Sequence, residues 1–244
     1  MEKKDAQQAL QTLKANSPKK KFVQSIDLII NLKDLNLKIT EQQIDLFISL
    51  SHPTGKKVKV CALIGPELKE QAKTTCDHFI LSDEFERIAA SKKEVKKIAS
   101  NYDYFIAQAN IMTLVAKHFG RIFGPKGKMP NPKSGCVVPP NANLAQLYDK
   151  LQKTVHAKAK TEYSVKARIG TEAMDEAHII DNIMTVYNAV IHALPNDKNN
   201  VKNILLKMTM GKPLLVEKST EETSVTKKKQ KTTTKEIAEQ VSTE

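Results

Sequence analysis

The sequence predicts an α/β protein of two domains. One is a discontinuous α+β domain, a four-stranded sheet with two helices; the other is a Rossmann-like α/β domain inserted into it. Three observations carry this. Near both ends of the chain apolar residues alternate with other residues, as in half-buried strands of an antiparallel sheet. Between them, short unbroken apolar runs alternate with segments of helical periodicity, as in a buried parallel sheet with helices packed on it. The 244 residues, 40% of them hydrophobic, suffice for two modest cores. The discontinuous domain is expected to hold residues 1–56 and 159–217, and the inserted domain 57–158.

Residues 5–14 read as a helix: Asp5 can cap it, and Ala6, Ala9, Leu10 and Leu13 share one face. The run NSPKKK breaks it. An extended segment starts at Phe22, with Ile26, Leu28, Ile30 and Leu32 on one face and Asp27 on the other. A second strand, Ile44 to Leu50, ends before the break His52-Pro53-Thr54-Gly55. Val58 to Ile64 is an apolar run suited to a strand buried on both faces. Gly65-Pro66 opens a helix to about Thr75, with proline in the first turn. His78 to Leu81 reads as a strand, residues 83–99 as a helix, and Tyr102 to Ala107 as another buried strand. Ile111 to Phe119 and Ala142 to Val155 read as helices. Alternation returns with Tyr163, Val165, Ala167 and Ile169. Then come a long helix from Asp175 to Leu194 and a last strand from Val201 to Met210, which Gly211 ends. Residues 218–244 are low-complexity and are expected to be a disordered tail. The chain passes between the domains only near Thr54-Gly55 and near Lys158–Thr161. Two crossings permit hinge motion, with Thr54 and Gly55 as the hinge.

Composition narrows the function. Lys and Arg number 39 against 27 acids, a net charge of +12 that favours nucleic acid or an anionic surface as partner. The tail accounts for about one of those charges, with six lysines and five glutamates, so the excess lies on the folded part. Three cysteines (Cys61, Cys76, Cys136) without a C-x-x-C pair argue against a disulfide framework and against a zinc site; reduced, cytoplasmic thiols are expected. The six histidines show no metal-ligand spacing, so no metal or other cofactor is expected. The N-terminus carries no apolar signal-peptide core, and no apolar run approaches membrane-spanning length.

No catalytic constellation emerges. GPKGK suggests a phosphate loop, but the spacing would put the first glycine at Ile122, and Met129 takes the hydroxyl position. No G-x-G-x-x-G follows a strand. The acids of Asp175-Glu176-Ala177-His178 sit at a helix start and read as capping residues. Two alternatives stay open: a small α/β nucleotide-binding enzyme, which would need a phosphate loop or acid pair at a strand end, and a general RNA chaperone.

Three stretches suit RNA. Residues 120–140, GRIFGPKGKMPNPKSGCVVPP, hold four of eight glycines, five of ten prolines and the cations Arg121, Lys126, Lys128 and Lys133. No Asp or Glu lies between Asp103 and Asp149, so this is a stiff, acid-free, cationic loop. In the second stretch Lys21 can neutralise a phosphate, Phe22 can lie against a sugar or base, and Ser25 and Asp27 can hydrogen-bond 2′-hydroxyls or base edges. In the third, Lys207-Met208-Thr209-Met210-Gly211, the glycine leaves room for backbone amides to approach RNA. Taken singly, Phe22 and Met210 read rather as core residues and Thr209 as an ordinary strand residue.

The run LVAKHFGRIFGPKGKMPNPKSG (residues 114–135) closely resembles the signature of the large-subunit ribosomal protein L-one family. KFVQSIDLIINL, YDYFIAQANIM and KMTMG support it, and the resemblance covers nearly all of residues 1–217. The compact length and VKARIG look like archaeal members. The resemblance implies a non-enzymatic protein that binds large-subunit ribosomal RNA and forms the mobile stalk beside the transfer-RNA exit site. There it would assist release of deacylated transfer RNA. It further implies repression of translation through a hairpin in the protein's own messenger RNA. By matching position, Lys21, Phe22, Ser25, Asp27, Thr209, Met210 and Gly211 would contact ribosomal RNA. Arg121, Lys126, Lys128 and Lys133 would form a secondary contact. Ser25 stands where many members have threonine, Asp27 where glutamate is common, and Lys212 where proline is frequent. A monomer is expected off the ribosome.

Overall fold

The computed structural model of the chain describes residues 1–18 and 20–218. In chain order its helices and strands are α1 (Lys3–Asn16), β1 (Ser25–Leu32), β2 (Ile44–Ser49), β3 (Val60–Ile64), α2 (Lys69–Thr75), β4 (His78–Leu81), α3 (Phe85–Ala90), α4 (Lys92–Asn101), β5 (Tyr104–Gln108), α5 (Met112–Phe123), β6 (Val137–Val138), α6 (Leu144–Gln152), β7 (Thr154–Ala159), β8 (Ser164–Thr171), α7 (Glu176–His192), β9 (Val201–Met208) and β10 (Leu214–Lys218). Two units result: Met1–His52 with the chain from His156 onward, and Pro53–Val155 between them. Of the expected tail, Lys218 closes β10 and the rest lies outside the described residues.

The first unit is built on an antiparallel sheet in the order β10-β9-β1-β8. The period-two alternation of β1 buries Ile26, Leu28, Ile30 and Leu32 on one face. That face is joined by Val165, Ala167 and Ile169 of β8 and by Ile204, Leu206 and Met208 of β9, all buried. α1 packs along β9 and β10, α7 along β8, and the two helices pack on each other. α1 buries Ala6, Ala9, Leu10 and Leu13; α7 buries Ile179, Ile183, Val186 and Val190. Asp5 acts from inside α1, accepting the Glu2 N–H at 2.9 Å from the third helical position. The DEAH acids serve the helix start differently from expectation. Asp175 occupies the N-cap position without a side-chain cap bond, and Glu176 pairs with Lys14 of α1 at 2.8 Å.

The strand membership differs from the sequence reading. Ile44–Ser49 does not enter this sheet; it pairs with β7 as a separate two-stranded sheet, and β10 takes the fourth place. β2 buries only Ile44 and Ile48, too little apolar surface for a central strand, and its Asp45 is bound to His156 of β7 and to Lys160 just after it. Thr154 and Val155 were expected to end a helix; α6 stops at Gln152, and this β-branched pair opens β7 instead.

The second unit is a parallel sheet in the order β4-β3-β5-β6. All five residues of β3 are buried. One face packs Cys61, Leu63, Phe105 and Ala107 against α3, α4 and α5, through Phe85, Val95, Phe119 and Phe123 among others. The other packs Val60, Ala62, Ile64 and Ile106 against Leu68 and α2 and α6, through Ala72, Leu144 and Leu151. The expected single helix over residues 83–99 is two. Ser91 ends α3 by donating its N–H to the Ile88 carbonyl at 3.1 Å, and its hydroxyl caps α4 by accepting the Glu94 N–H at 3.4 Å. Among the described residues no helix is long and apolar enough to cross a membrane.

Candidate nucleic-acid interface

At one end of the first unit's sheet, β1 begins beside the point where β9 ends. Gln24 organises the junction from a fully buried position. Its Nε2 donates to the Pro18 carbonyl at 3.1 Å, its Oε1 accepts the Met210 N–H at 3.2 Å, and its carbonyl accepts the Glu172 N–H at 2.9 Å. One amide thus fixes the chain leaving α1, the turn after β9 and the end of β8. Nothing in the local pattern marks Gln24, which the sequence reading passes over.

Ser25 and Thr209 face each other across that junction. The Thr209 N–H donates to the Ser25 carbonyl at 3.1 Å, the Ser25 N–H donates to Thr209 Oγ1 at 3.0 Å, and the two hydroxyl oxygens lie 2.9 Å apart. Phe22 and Met210 are not core residues: they are 50% and 60% exposed, and Val23 is 62% exposed. Lys21 is exposed beside them. Large apolar side chains held in water next to a cation and a hydroxyl pair are the chemistry on which a nucleobase or sugar rests. Gly211 has a packing reason of its own. A Cβ there would lie 3.1 Å from Ser17 Oγ and 3.4 Å from Met208 Cβ. Between the end of α1 (Leu13, Asn16, Ser17) and Met210–Leu214 runs a groove of about 430 Å³.

Asp27 lies on the sheet face away from the helices. In register it stands opposite Arg168 of β8 and Lys207 of β9. Its half-buried position raises the carboxyl pKa above the ordinary value, against the pull of those two cations. Lys207 belongs to a stretch that the sequence marks for RNA, but only strand register reveals that it and Arg168 flank Asp27.

The glycine- and proline-rich loop belongs to the second unit. Its first residues, Gly120–Phe123, are the last turn of α5. A Cβ at Gly124 would sit 2.8 Å from the Gly120 carbonyl oxygen, so glycine permits that close return. Of the four cations, two are engaged by the protein itself. Lys126 Nζ donates to Ser100 Oγ at 2.8 Å and to the Lys96 carbonyl at 3.3 Å, and Lys128 Nζ donates to the Tyr102 carbonyl. Desolvation pushes the Lys128 amine below its ordinary pKa. Arg121 and Lys133 are exposed.

The crossing at Thr54-Gly55 is bracketed by two amide side chains, one in each unit. Asn182 Oδ1 accepts the His52 N–H and its Nδ2 donates to the His52 carbonyl, both at 3.1 Å. Gln152 Oε1 accepts the Val58 N–H at 2.9 Å and its Nε2 donates to the Val58 carbonyl at 2.8 Å. Between them Gly55 has a left-handed φ of 79° and Thr54 is buried.

A nucleotide would be sought where strand order reverses, between the carboxyl ends of β3 and β5. That crevice is filled. Gln108 accepts the Gly65 N–H at 2.9 Å and donates to Glu67 Oε2 at 2.7 Å. Among the described residues no group of three His, Cys, Asp or Glu side chains is placed to hold a metal.

The chain matches the family described as ribosomal protein L1p/L10e over residues 13–212. It is 37% identical over 205 residues to the large ribosomal subunit protein uL1 of Pyrococcus abyssi, spanning 84% of this chain and 91% of that protein. To the uL1 protein of Thermoplasma volcanium it is 34% identical over 216 residues, 88% of this chain and 97% of that protein. To that of Methanothermococcus thermolithotrophicus it is 35% identical over 218 residues, 89% of this chain and 100% of that protein.

Proposed function

The chain belongs to the ribosomal protein L1p/L10e family, and from that premise we propose that it is a non-enzymatic constituent of the large ribosomal subunit. It binds large-subunit ribosomal RNA through the junction of β1 and β9. The supporting observation is the exposure of Phe22 and Met210, which lie near Ser25 and Thr209 in the chain, where the two hydroxyls pair. The Met210 backbone is held by the buried Gln24 amide, and Phe22 directly follows the cation Lys21. On this reading Lys21 neutralises phosphate, Phe22 and Met210 carry a sugar or base, and the hydroxyls, Asp27 and the backbone at Gly211 meet 2′-hydroxyls or base edges.

The proposal extends to the finer roles that the family resemblance implies. The protein forms the mobile stalk, Thr54 and Gly55 act as its hinge, and Arg121 and Lys133 of the second unit touch RNA. It assists deacylated transfer RNA in leaving the exit site, and it represses its own message by binding a similar hairpin. Off the ribosome it is a cytoplasmic monomer without a cofactor.

A mobility-shift titration with a large-subunit stalk RNA fragment tests the RNA site. The expected result is much tighter binding than to random RNA of equal length at moderate salt; equal binding would sink the proposal. Co-sedimentation with large subunits separates a ribosomal role from general RNA-chaperone activity.

A further inference from the structure

We infer that the exposed face of α4, extended by Lys126, is a second RNA contact that tracks phosphates without reading sequence. This rests on the chain being an RNA-binding protein, but it lies in the other unit and uses none of the residues of the β1–β9 junction.

α4 turns Val95 and Ala99 into the core. At about 100° per residue, Lys93 and Lys97 fall opposite that core face with Ser100 beside them, and Lys96 and Lys92 continue the row round toward its edge. All four lysines are exposed, and none has an ion-pair partner among the described residues. The one acid of the helix, Glu94, lies at the flank of this stripe. A fifth ammonium joins the row at its far end, because Lys126 is anchored on the Lys96 carbonyl and on Ser100.

A lysine-rich helix is ordinarily a solvated face, but this arrangement works against the helix. Lys92 and Lys93 are its first two residues, where the macrodipole disfavours positive charge. Lys92 with Lys96, and Lys93 with Lys97, are like-charge neighbours one turn apart. Glu94 in the first turn and Lys126 at the other end are placed to favour the dipole. An external polyanion relieves this repulsion, and counterion release from its phosphates drives the contact. The occupant is RNA rather than a lipid surface, because the stripe offers no apolar side chain to insert; those of α4 are in the core.

The test uses the full chain and large-subunit ribosomal RNA. One variant carries K92Q, K93Q, K96Q and K97Q. The control carries K69Q, K73Q, K150Q and K153Q, which removes the same charge from α2, α6 and the residue after it, on the sheet's other face. Binding constants are measured across salt concentrations. Each lost phosphate contact is expected to flatten the slope of log K against log salt by about 0.7–0.9. The α4 variant should therefore lose up to roughly 3–3.5 units of slope and keep its preference for ribosomal over random RNA, while the control keeps its slope. Its thermal midpoint should equal or exceed that of the parent, and the double variant K92Q/K96Q should show about half the slope change. Equal slopes for variant and parent, or equal losses in variant and control, overturn the inference. A parent that binds ribosomal RNA no better than random RNA sinks the β1–β9 reading instead, and the slope comparison still reads α4.

Discussion

The hydroxyl oxygens of Ser25 and Thr209 lie 2.9 Å apart, and each residue's backbone N–H is bound to the other residue. The pair closes the sheet where β9 runs out, so it holds structure and candidate interface at once. Thr209→Val keeps the shape and removes the oxygen that accepts the Ser25 N–H. It is expected to cost on the order of 1 kcal/mol, the usual net value of such a bond, with more if the N–H is left dry. A double-mutant cycle with Ser25→Ala, read by urea unfolding, should give a coupling of about 0.5 kcal/mol or more. Additive effects would show that the hydroxyls do not act as a pair.

Phe22 and Met210 should behave in the opposite way. Both are largely exposed, so Phe22→Ala and Met210→Ala are expected to change stability by no more than about 0.5 kcal/mol. If each side chain carries a base, ribosomal-RNA affinity should fall by about 1–3 kcal/mol, roughly 5- to 150-fold. Isothermal calorimetry or filter binding beside a melting curve separates the two effects. Normal RNA binding by both variants would move the interface away from the junction.

Two aspartates should shape acid stability with opposite signs. Burial raises the Asp27 pKa despite Arg168 and Lys207. Asp27 therefore favours the fold below its unfolded pKa, and that contribution is lost as pH rises through the folded value. Burial alone would also raise Asp45, but hydrogen bonds from Lys160 and His156 outweigh it and hold it low. Its contribution is present above the unfolded pKa and lost as pH falls through the folded one. At pH 7, Asp27→Asn should leave the urea midpoint equal or higher. Asp45→Asn should lower stability by on the order of 1–2 kcal/mol, as for a hydrogen bond to a charged group, and that loss should shrink toward pH 3. Parallel pH profiles for the two variants would contradict both assignments.

Which of these features the sequence discloses follows from how local each one is. Val60–Ile64 declares itself as a doubly buried strand because every residue in it is apolar, and Ala6, Ala9, Leu10 and Leu13 declare a helix face by spacing. The exchange of Ile44–Ser49 for Leu214–Lys218 in the four-stranded sheet is not local. Both are short apolar runs, and which one joins β9 depends on a pairing that propensity does not encode. The Leu214-Leu215-Val216 run after Pro213 is a local signal for β10, but nothing local says which strand it joins. At the junction, residue types such as Lys21, Phe22 and Ser25 suggest RNA chemistry by themselves. Gln24 and Arg168 take their roles from partners far along the chain, so they become visible only once the strands are in register, as does the pairing of Lys207 with Asp27.

Asn182 gives the sharpest stability prediction. It is wholly buried and makes three backbone bonds: it accepts the His52 N–H, and it donates to the His52 and Ile169 carbonyls. Asn182→Ala would strip partners from backbone groups at the last residue before the crossing, while the imidazoles of His52 and His178, stacked 3.8 Å apart, would hold that residue alone. Unsatisfied buried backbone groups cost about 1–3 kcal/mol each, so a loss of roughly 2–4 kcal/mol is expected after partial relaxation. For a chain of this size that lowers the melting temperature by roughly 4–16 °C. Gln152→Ala removes two bonds at a half-buried site where water can replace them, so its cost should be smaller. Hydrogen exchange at the His52 amide should accelerate in Asn182→Ala and stay slow in Gln152→Ala, with the reverse at Val58. Loss of protection at both amides in either variant would mean that the two brackets are not independent.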